Sequence, residues 1–358
     1  MAFTDDVMAG FLDNLCGDDY ILASDYLMSR DEMTAILSLA GDRNAMPPDV
    51  REMADRLAEK AEFAPETATY NETSLAELPE EGRSQVYLVR ADGAGTASLQ
   101  RGGNGLNYFR NADCIVLGET ICRDNLKEAD ADDMAYAKWL MPEEPELDLE
   151  KARQIAETYL NVTEISMEFF EAEWCTILEN GILKHSGWKL TYTKTAGGLP
   201  SVYHDGEWCY VNPEMTPERG APWDQEFCVL AIDTEGIFEL WLQGCTEITE
   251  ETPTAIKVDG DQAITLAMQY LERIYTGHVN GLGQNLDIEI TDAMLGSALV
   301  TTDVEGEGEY RPAWYVTYRY RWNGDEELIG QESIVLDALT GSYIEPRIKE
   351  SRFADILG

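Results

Sequence analysis

Basic residues are scarce in this sequence. Its 358 residues include 26 lysines and arginines against 68 aspartates and glutamates, so the formal net charge is −42 at pH 7. A field of this sign repels phosphate backbones and anionic lipid headgroups. We therefore expect no nucleic-acid partner. Cationic partners are compatible with the acidity, and a solvated acidic surface is the favoured explanation.

Long apolar runs are also missing. No stretch of 18 or more apolar residues occurs, so the sequence predicts no membrane-spanning helix. The first residues, MAFTDDVMAGFLDNL, lack the basic and apolar regions of a secretory signal. We therefore expect membrane association only through a lipid anchor that this chain does not contain.

The motifs of common metal and nucleophile sites are absent as well. The seven cysteines include no CxxC pair, and none has histidines at zinc-binding spacing. Cys209 and Cys228 flank a proline-rich loop and could be bridged, with buried thiols as the alternative. The three histidines, His185, His204 and His278, accompany no nucleophile motif. We therefore predict no catalytic residue, no metal site and no cofactor.

What the sequence does contain is ample material for several cores. Apolar residues make up 44% of the chain, including 17 tyrosines and 8 tryptophans, and the length favours two or three domains. Composition and periodicity predict four segments. They are an N-terminal helical segment (1–64), a small antiparallel β region with a closing helix (65–146), and two α+β repeats (147–253 and 254–358).

The two repeats follow from an internal match. The helical segment LDLEKARQIAETYL (147–160) aligns without gaps with VDGDQAITLAMQYL (258–271). Downstream, GWKLTYTK (187–194) matches AWYVTYRY (313–320), with Trp, Thr and Tyr in common. Each copy therefore predicts one helix packed on an antiparallel meander sheet, which places the chain in the α+β class.

The aromatic strand near the end of the chain shows how such a sheet would pack. Trp314, Val316 and Tyr318 fall on one face of an extended chain, since successive strand side chains point to opposite faces. The sequence after Trp322 predicts a turn at Asn323-Gly324 and a return strand over 334–336. We expect the apolar face to contact the helix of the same repeat.

Several of these residues carry a family resemblance. The turn Gly198-Leu199-Pro200, the turn from Asp233 to Gly236-Ile237 and the strand around Trp241 resemble an uncharacterised family of Firmicutes surface lipoproteins. The closing segment, PAWYVTYR to IVLDALTGSYIEP, is similar to PepSY and YycH/YycI-type extracytoplasmic modules. The resemblance covers roughly residues 148–347. It implies a PepSY/cystatin-like arrangement of both repeats.

The same resemblance implies a location outside the cytoplasm, with a lipidated cysteine as the anchor. The early Cys16 departs from that pattern, because Asn14 and Leu15 stand where a lipobox needs small residues. We therefore expect a cell-surface or extracytoplasmic protein whose signal is absent from this chain. A cytoplasmic location is the alternative.

Two surfaces are candidates for binding a ligand or partner. Arg319 and Arg321 share one strand face and could hold an anionic ligand or the carboxylates of a peptide. The favoured alternative pairs them with Glu332 or Asp337 on the neighbouring strand. The second surface consists of aromatic residues near proline and glycine turns, which could contact a sugar or a protein or could instead anchor a loop. These residues are Tyr203, Trp208, Tyr210 and Trp223.

Taken together, these patterns predict a non-enzymatic extracytoplasmic module for protein interaction or sensing at a bacterial surface, with an unknown protein or peptide partner. A hydrolase or carbohydrate-active protein with a groove between the repeats is one alternative. An intracellular scaffold is another.

Overall fold

The computed structural model of the protein describes residues 5–16, 20–77, 84–90, 96–102, 105–110, 119–123, 126, 133–161, 167–201, 226–243, 248–250, 255–282, 286–301, 308–322 and 329–344. The chain forms two compact units. The first unit is Met1–Tyr192 with Glu226–Thr246, and the second is Thr193–Gln225 with Glu247–Gly358. Both combine helices with antiparallel strands, so the α+β class is confirmed.

The elements have the following bounds. The helices are α1 (Asp5–Cys16), α2 (Arg30–Leu39), α3 (Pro48–Phe63), α4 (Met134–Leu140), α5 (Leu149–Leu160) and α6 (Gly260–Leu282). The strands are β1 (Tyr20–Leu27), β2 (Thr69–Glu72), β3 (Ser84–Arg90), β4 (Thr96–Gly102), β5 (Gly105–Arg110), β6 (Glu119–Cys122), β7 (Glu168–Glu179), β8 (Leu183–Thr193), β9 (Thr195–Ala196), β10 (Leu199–Pro200), β11 (Phe227–Asp233), β12 (Gly236–Gln243), β13 (Leu286–Thr301), β14 (Gly308–Trp322), β15 (Ile329–Asp337) and β16 (Tyr343–Ile344). Within the described helices, none is long and apolar enough to cross a membrane.

The first unit contains a ten-stranded sheet in the order β2-β1-β3-β4-β5-β12-β11-β8-β7-β6. Strand β12 pairs with β5, so the sheet continues across the boundary predicted at residue 147. Strand β1 also corrects the prediction that residues 1–64 are helical throughout. It pairs with β2 and β3, and this long-range pairing has no signal in the local periodicity.

The helices of the N-terminal segment begin where the local sequence predicts. Ser29 caps α2 in a capping box, because its hydroxyl accepts from the N–H of Glu32 while the Glu32 carboxylate accepts from the N–H of Ser29. Pro48 occupies the first turn of α3, where its missing N–H costs nothing. Val50, Leu57 and Ala61 are buried along α3 and form one apolar face of the helix.

Helix α5 packs on one face of this sheet. Asp148 caps the helix by accepting from the N–H of Lys151 at 2.9 Å. Ala152 and Ala156 are fully buried, and their small side chains bring the helix axis close to the sheet. The indole N–H of Trp188 on β8 donates to the carbonyl of Leu147 at 2.8 Å, which fixes the start of the helix.

The sheet is strongly curved, and its concave side lies opposite the face that carries α5. Thr120 on β6 donates to the carboxylate of Glu239 on β12 at 2.7 Å, although β11, β8 and β7 lie between these strands in the sheet. A small apolar cluster fills this concave side. Its members are Cys122, Cys175, Ile177, Ala231 and Phe238.

In the described part of the second unit, helix α6 packs on a four-stranded sheet in the order β13-β14-β15-β16. Asp259 accepts from the N–H of Gln262 at 2.9 Å at the start of α6. Ala263 and Ala267 are fully buried against the sheet, and the indole N–H of Trp314 donates to the carbonyl of Val258 at 2.8 Å. The short β9–β10 hairpin belongs to the same unit and contacts β13.

The predicted aromatic face of β14 is confirmed. Val316 and Tyr318 are buried in the core beneath α6, and Trp314 packs against that core. The return strand β15 is longer than the predicted 334–336, and Gly341 takes a positive φ of 78° in the turn that follows it. The predicted turn at Asn323-Gly324 lies outside the described residues.

Gly187 on β8 offers a first testable prediction. A Cβ atom at this position would lie 2.7 Å from the carbonyl oxygen of Ile232 and 2.8 Å from Cδ1 of Ile177. We expect Gly187→Ala to lower the free energy of unfolding by about 1–3 kcal/mol, because the core must shift to accept the methyl group. Urea denaturation measures this loss.

Ile177→Val supplies the matched control, since it removes the Cδ1 atom that the new methyl group would meet. The double variant should lose less stability than the sum of the two single losses. Strictly additive losses would contradict the proposed close contact.

Candidate functional site

The structure describes two of the predicted site residues, Arg319 and Arg321, and both lie on β14. Arg321 forms an ion pair with Asp287 on β13, with 2.9 Å between Nε and Oδ2. The two residues stand directly opposite each other in the β13–β14 register, so Asp287 is nearer than either predicted partner. The prediction that Arg321 pairs with Glu332 or Asp337 is therefore wrong. Arg319 also has an interaction partner, and a ligand role for the two arginines stays a prediction.

The two acids have other roles. Glu332 accepts hydrogen bonds from the hydroxyls of Tyr318 at 2.6 Å and Tyr275 at 3.2 Å. Burial, followed by these hydrogen bonds to a carboxylate, raises the pKa of Tyr318 well above its ordinary value. Asp337 is fully buried and accepts from backbone N–H groups of its own turn. Both acids therefore stabilise the second unit.

The aromatic candidates lie outside the described residues, and their role stays a prediction. They are Tyr203, Trp208, Tyr210 and Trp223. Cys209, one half of the possible bridge to Cys228, also lies outside, and Cys228 is a buried thiol.

A buried charged cluster in the first unit was not predicted. Arg110 at the end of β5 donates to Asp233 through both terminal nitrogens, at 2.9 and 2.6 Å. The same guanidinium donates to Glu179 through Nε at 3.1 Å and Nη2 at 2.8 Å. Burial opposes the charge of Arg110, but its bonds to Asp233 and Glu179 outweigh this effect and raise its pKa further above the ordinary value.

This cluster contains the residue types of an acid–base site, namely a histidine and two carboxylates. Its hydrogen bonds, however, are those of a structural ion cluster. The His185 ring nitrogens lie 3.7 Å from Glu179 and 3.9 Å from Asp233, too far for direct hydrogen bonds. One guanidinium binds both carboxylates, as in a structural ionic cluster. Across the part of the chain that the structure describes, no three or more His, Cys, Asp or Glu residues are placed to hold a metal ion.

An open apolar groove is the better candidate site. It has a volume of about 520 Å³ and lies where β1 ends and α2 begins, beside the end of α3. Its walls are apolar: Leu27, Met28, Met33, Phe63, Ala64 and Pro65. Phe63 is 87% exposed and Leu27 is 49% exposed. Large apolar side chains exposed around a concavity typically mark a binding surface.

Arg30 holds the groove in shape. Its backbone N–H donates to the carbonyl of Pro65 at 2.9 Å, and its Nε donates to the carbonyl of Ala61 at 3.3 Å. A guanidinium at this position satisfies a carbonyl at the C-terminal end of α3 and interacts favourably with the helix dipole. The end of α3, with Phe63, is thereby fixed beside the start of α2.

The rim of the groove carries two of the few cations of a strongly acidic protein. Arg56, Glu59 and Lys60 lie along its edge on α3. Arg56 shares an exposed ion pair with Glu52 at 2.6 Å, in which both side chains are about two-thirds exposed. Such a pair is weak, so Arg56 can exchange Glu52 for another carboxylate.

Sequence reasoning missed this groove, although one signal was present. Phe63 lies off the buried stripe of α3, which runs through Leu57 and Ala61. An aromatic residue on the polar side of an amphipathic helix is unexpected unless it has a partner. Which residues complete the groove depends on the packing of α2 against α3, which the local sequence does not specify.

The comparisons with known proteins assign no family. No model of a known protein family matches this chain, and no curated protein does. Among solved structures, the chain is similar to an uncharacterized protein from Eubacterium rectale. The identity is 13% and the TM-score 0.48, over 91% of this chain and 86% of that chain. A likeness of this degree assigns no activity or partner, and the predicted lipoprotein and PepSY resemblance stays a prediction.

Proposed function

We propose that this protein is a non-enzymatic interaction module, and that a partner protein or peptide inserts a large apolar side chain into the groove beside Phe63. The observation that carries the proposal is the 87% exposure of this phenylalanine at the edge of a 520 Å³ apolar concavity. Covering such a side chain removes apolar surface from water, which favours association. Met28 and Met33 in the wall can adapt to different apolar anchors.

The charges on the rim favour a partner segment with acidic residues next to its apolar anchor. Arg56 and Lys60 lie along the edge on α3 and can pair with carboxylates of a partner, Arg56 by exchanging its weak exposed pair with Glu52. The chain as a whole carries a net charge of −42. An acidic segment would therefore be repelled over most of the surface and attracted here, so the rim supplies orientation and selectivity.

A peptide-display experiment tests this proposal. A random peptide library selected on the purified protein should yield peptides with a large apolar residue flanked by Asp or Glu. We expect Phe63→Asp to weaken binding of a selected peptide by at least about 30-fold, because truncating an aromatic anchor typically costs about 2 kcal/mol or more. Isothermal titration calorimetry measures this change.

Leu39→Asp is the matched control. Leu39 is also strongly exposed, at 74%, but it does not line the groove, and the substitution makes the same change in charge. Its effect on peptide affinity should stay within about twofold, in keeping with a surface position outside the contact. Equal losses in both variants, or selected peptides without an apolar anchor, would reject the groove as the binding site.

We also propose that residues 147–253 and 254–358 are two copies of one PepSY/cystatin-like unit. Matching hydrogen bonds support this proposal. Asp148 and Asp259 cap their helices in the same way. Each side chain accepts a hydrogen bond from the backbone N–H three residues further along the chain. Trp188 and Trp314 each donate to the carbonyl of the residue before the cap, both at 2.8 Å.

The strand arrangement gives further support to the duplication. Helix α5 is followed in the chain by β7, β8, β11 and β12, which are neighbours in that order within the larger sheet. Helix α6 is followed by β13, β14, β15 and β16, again as successive neighbours. In both series, alanines of the helix are buried against apolar residues of the sheet.

We propose further that the module acts outside the cytoplasm at a bacterial surface. The support for this location is the resemblance of residues 148–347 to surface lipoproteins and to extracytoplasmic PepSY and YycH/YycI-type modules. Immunoblotting of the surface-exposed, secreted and cytoplasmic fractions of the native host tests it. Recovery in the cytoplasmic fraction alone would reject this location.

A further inference from the structure

Two cysteines face each other across the edge of the ten-stranded sheet. Cys122, the last residue of β6, is the direct antiparallel partner of Cys175 on β7. Arg123 follows Cys122 on its strand, and Trp174 precedes Cys175 on the other. The N–H of Arg123 donates to the carbonyl of Trp174 at 3.0 Å, so Arg123 and Trp174 form a hydrogen-bonded pair. Because the two kinds of pair alternate along an antiparallel ladder, Cys122 and Cys175 form a non-hydrogen-bonded pair.

A pair of this kind has the spacing that a disulfide needs. The Cα atoms of a non-hydrogen-bonded pair lie about 4.5 Å apart, within the range of about 4.4–6.8 Å found for disulfide-bonded cysteines. The two side chains also point to the same side of the sheet, because both belong to the cluster around Phe238 on its concave face. Formation of an S–S bond therefore requires no movement of the strands.

We propose that Cys122 and Cys175 are a disulfide-forming pair that fastens the edge strand β6 to the sheet. Both residues are thiols in the structure. The oxidant is a small-molecule or protein disulfide. One cysteine thiolate attacks it and releases the first thiol, and the second thiolate then attacks the mixed disulfide and releases the other. Two protein thiols are oxidised to one disulfide while the oxidant is reduced to two thiols.

Burial determines when this bond forms. Cys122 is 2% exposed and Cys175 is fully buried, so an oxidant cannot reach either sulfur in the folded protein. Burial also raises the pKa of the Cys175 thiol well above its ordinary value, which keeps it protonated and unreactive. The disulfide therefore forms during folding, or when β6 separates from β7. Once formed, it is protected from reductants by the same burial.

The position of β6 at the edge of the sheet indicates what the disulfide would stabilise. This strand has four residues and, among the strands that the structure describes, stands at the end of the order next to β7. Short edge strands separate easily, and an exposed edge can pair with other chains. A bond at the last residue of β6 holds the edge closed and joins parts of the chain about fifty residues apart.

Oxidative refolding tests the proposal. The full chain is unfolded, reduced, and refolded with mixed oxidised and reduced glutathione, then digested without reduction and analysed by mass spectrometry. We expect a disulfide-linked peptide that contains Cys122 and Cys175. The oxidised protein should melt about 5–10 °C above the reduced protein, because a disulfide that closes a loop of this length stabilises by several kcal/mol.

Matched variants make the result specific. Cys122→Ser and Cys175→Ser should each abolish the difference in melting temperature between oxidised and reduced protein. Cys228→Ser removes a buried thiol on β11 and should retain that difference. If a serine variant does not fold, the corresponding alanine variant replaces it. A different linked pair, no linked peptide, or a difference that persists in Cys122→Ala would overturn the proposal.

Discussion

Replacing Arg110 with methionine should lower the free energy of unfolding of the first unit by about 3–5 kcal/mol. Methionine fills much of the same space, but it removes the guanidinium that binds both buried carboxylates, Glu179 and Asp233. Their side chains are only 3% and 2% exposed, so water cannot replace the guanidinium. Removing one member of a buried ionic cluster therefore costs far more than the cluster contributes as a whole. Urea denaturation followed by tryptophan fluorescence measures the loss.

Arg321→Met is the matched control for this experiment. It breaks the ion pair with Asp287, in which the two side chains are 38% and 57% exposed. An exposed pair of this kind contributes about 1 kcal/mol or less, so its loss should be small. Equal losses for the two arginine variants would show that Arg110 does not hold buried charges together.

The Arg110 cluster also shows where sequence reasoning ends. Arg110 binds Glu179 and Asp233, which are 69 and 123 residues away along the chain. Such contacts depend on the order and curvature of strands in the sheet, and no local pattern encodes them. The strand β1 was missed for the same reason, because its pairing partners β2 and β3 lie far from it in sequence.

Local signals were far more informative. The cap at Ser29 and the stripe through Leu57 depend on residues within one or two helical turns, so their spacing alone predicts them. The aromatic face of β14 follows from the period of two along a strand, which places Trp314, Val316 and Tyr318 on one side. The groove beside Phe63 could be predicted only in part. The position of Phe63 off the apolar stripe is visible in the sequence, but the other residues of the groove come together only when β1, α2 and α3 pack.

The matching tryptophans of the two proposed copies lead to the second prediction with a large effect on stability. Trp314→Ala should lower the free energy of unfolding of the second unit by about 3–4 kcal/mol. The indole packs against the start of α6, where its ring would lie 3.3 Å from a Cβ atom added to Gly260, and its N–H satisfies the carbonyl of Val258. Alanine leaves a cavity and an unsatisfied carbonyl at the same point. The measurement is the thermal or urea midpoint of the second unit.

Trp314→Phe separates the contribution of ring packing from that of the hydrogen bond to Val258. It keeps most of the ring but loses the N–H, so it should cost about 1 kcal/mol beyond a small packing loss. If the two tryptophans are equivalent, Trp188→Ala should destabilise the first unit to a similar extent through the lost bond to Leu147. A large loss for one tryptophan and none for the other would mean that the shared sequence pattern does not carry a shared structural role. The two helix-and-sheet layers would then owe their similar connectivity to general packing rules rather than to one repeated design.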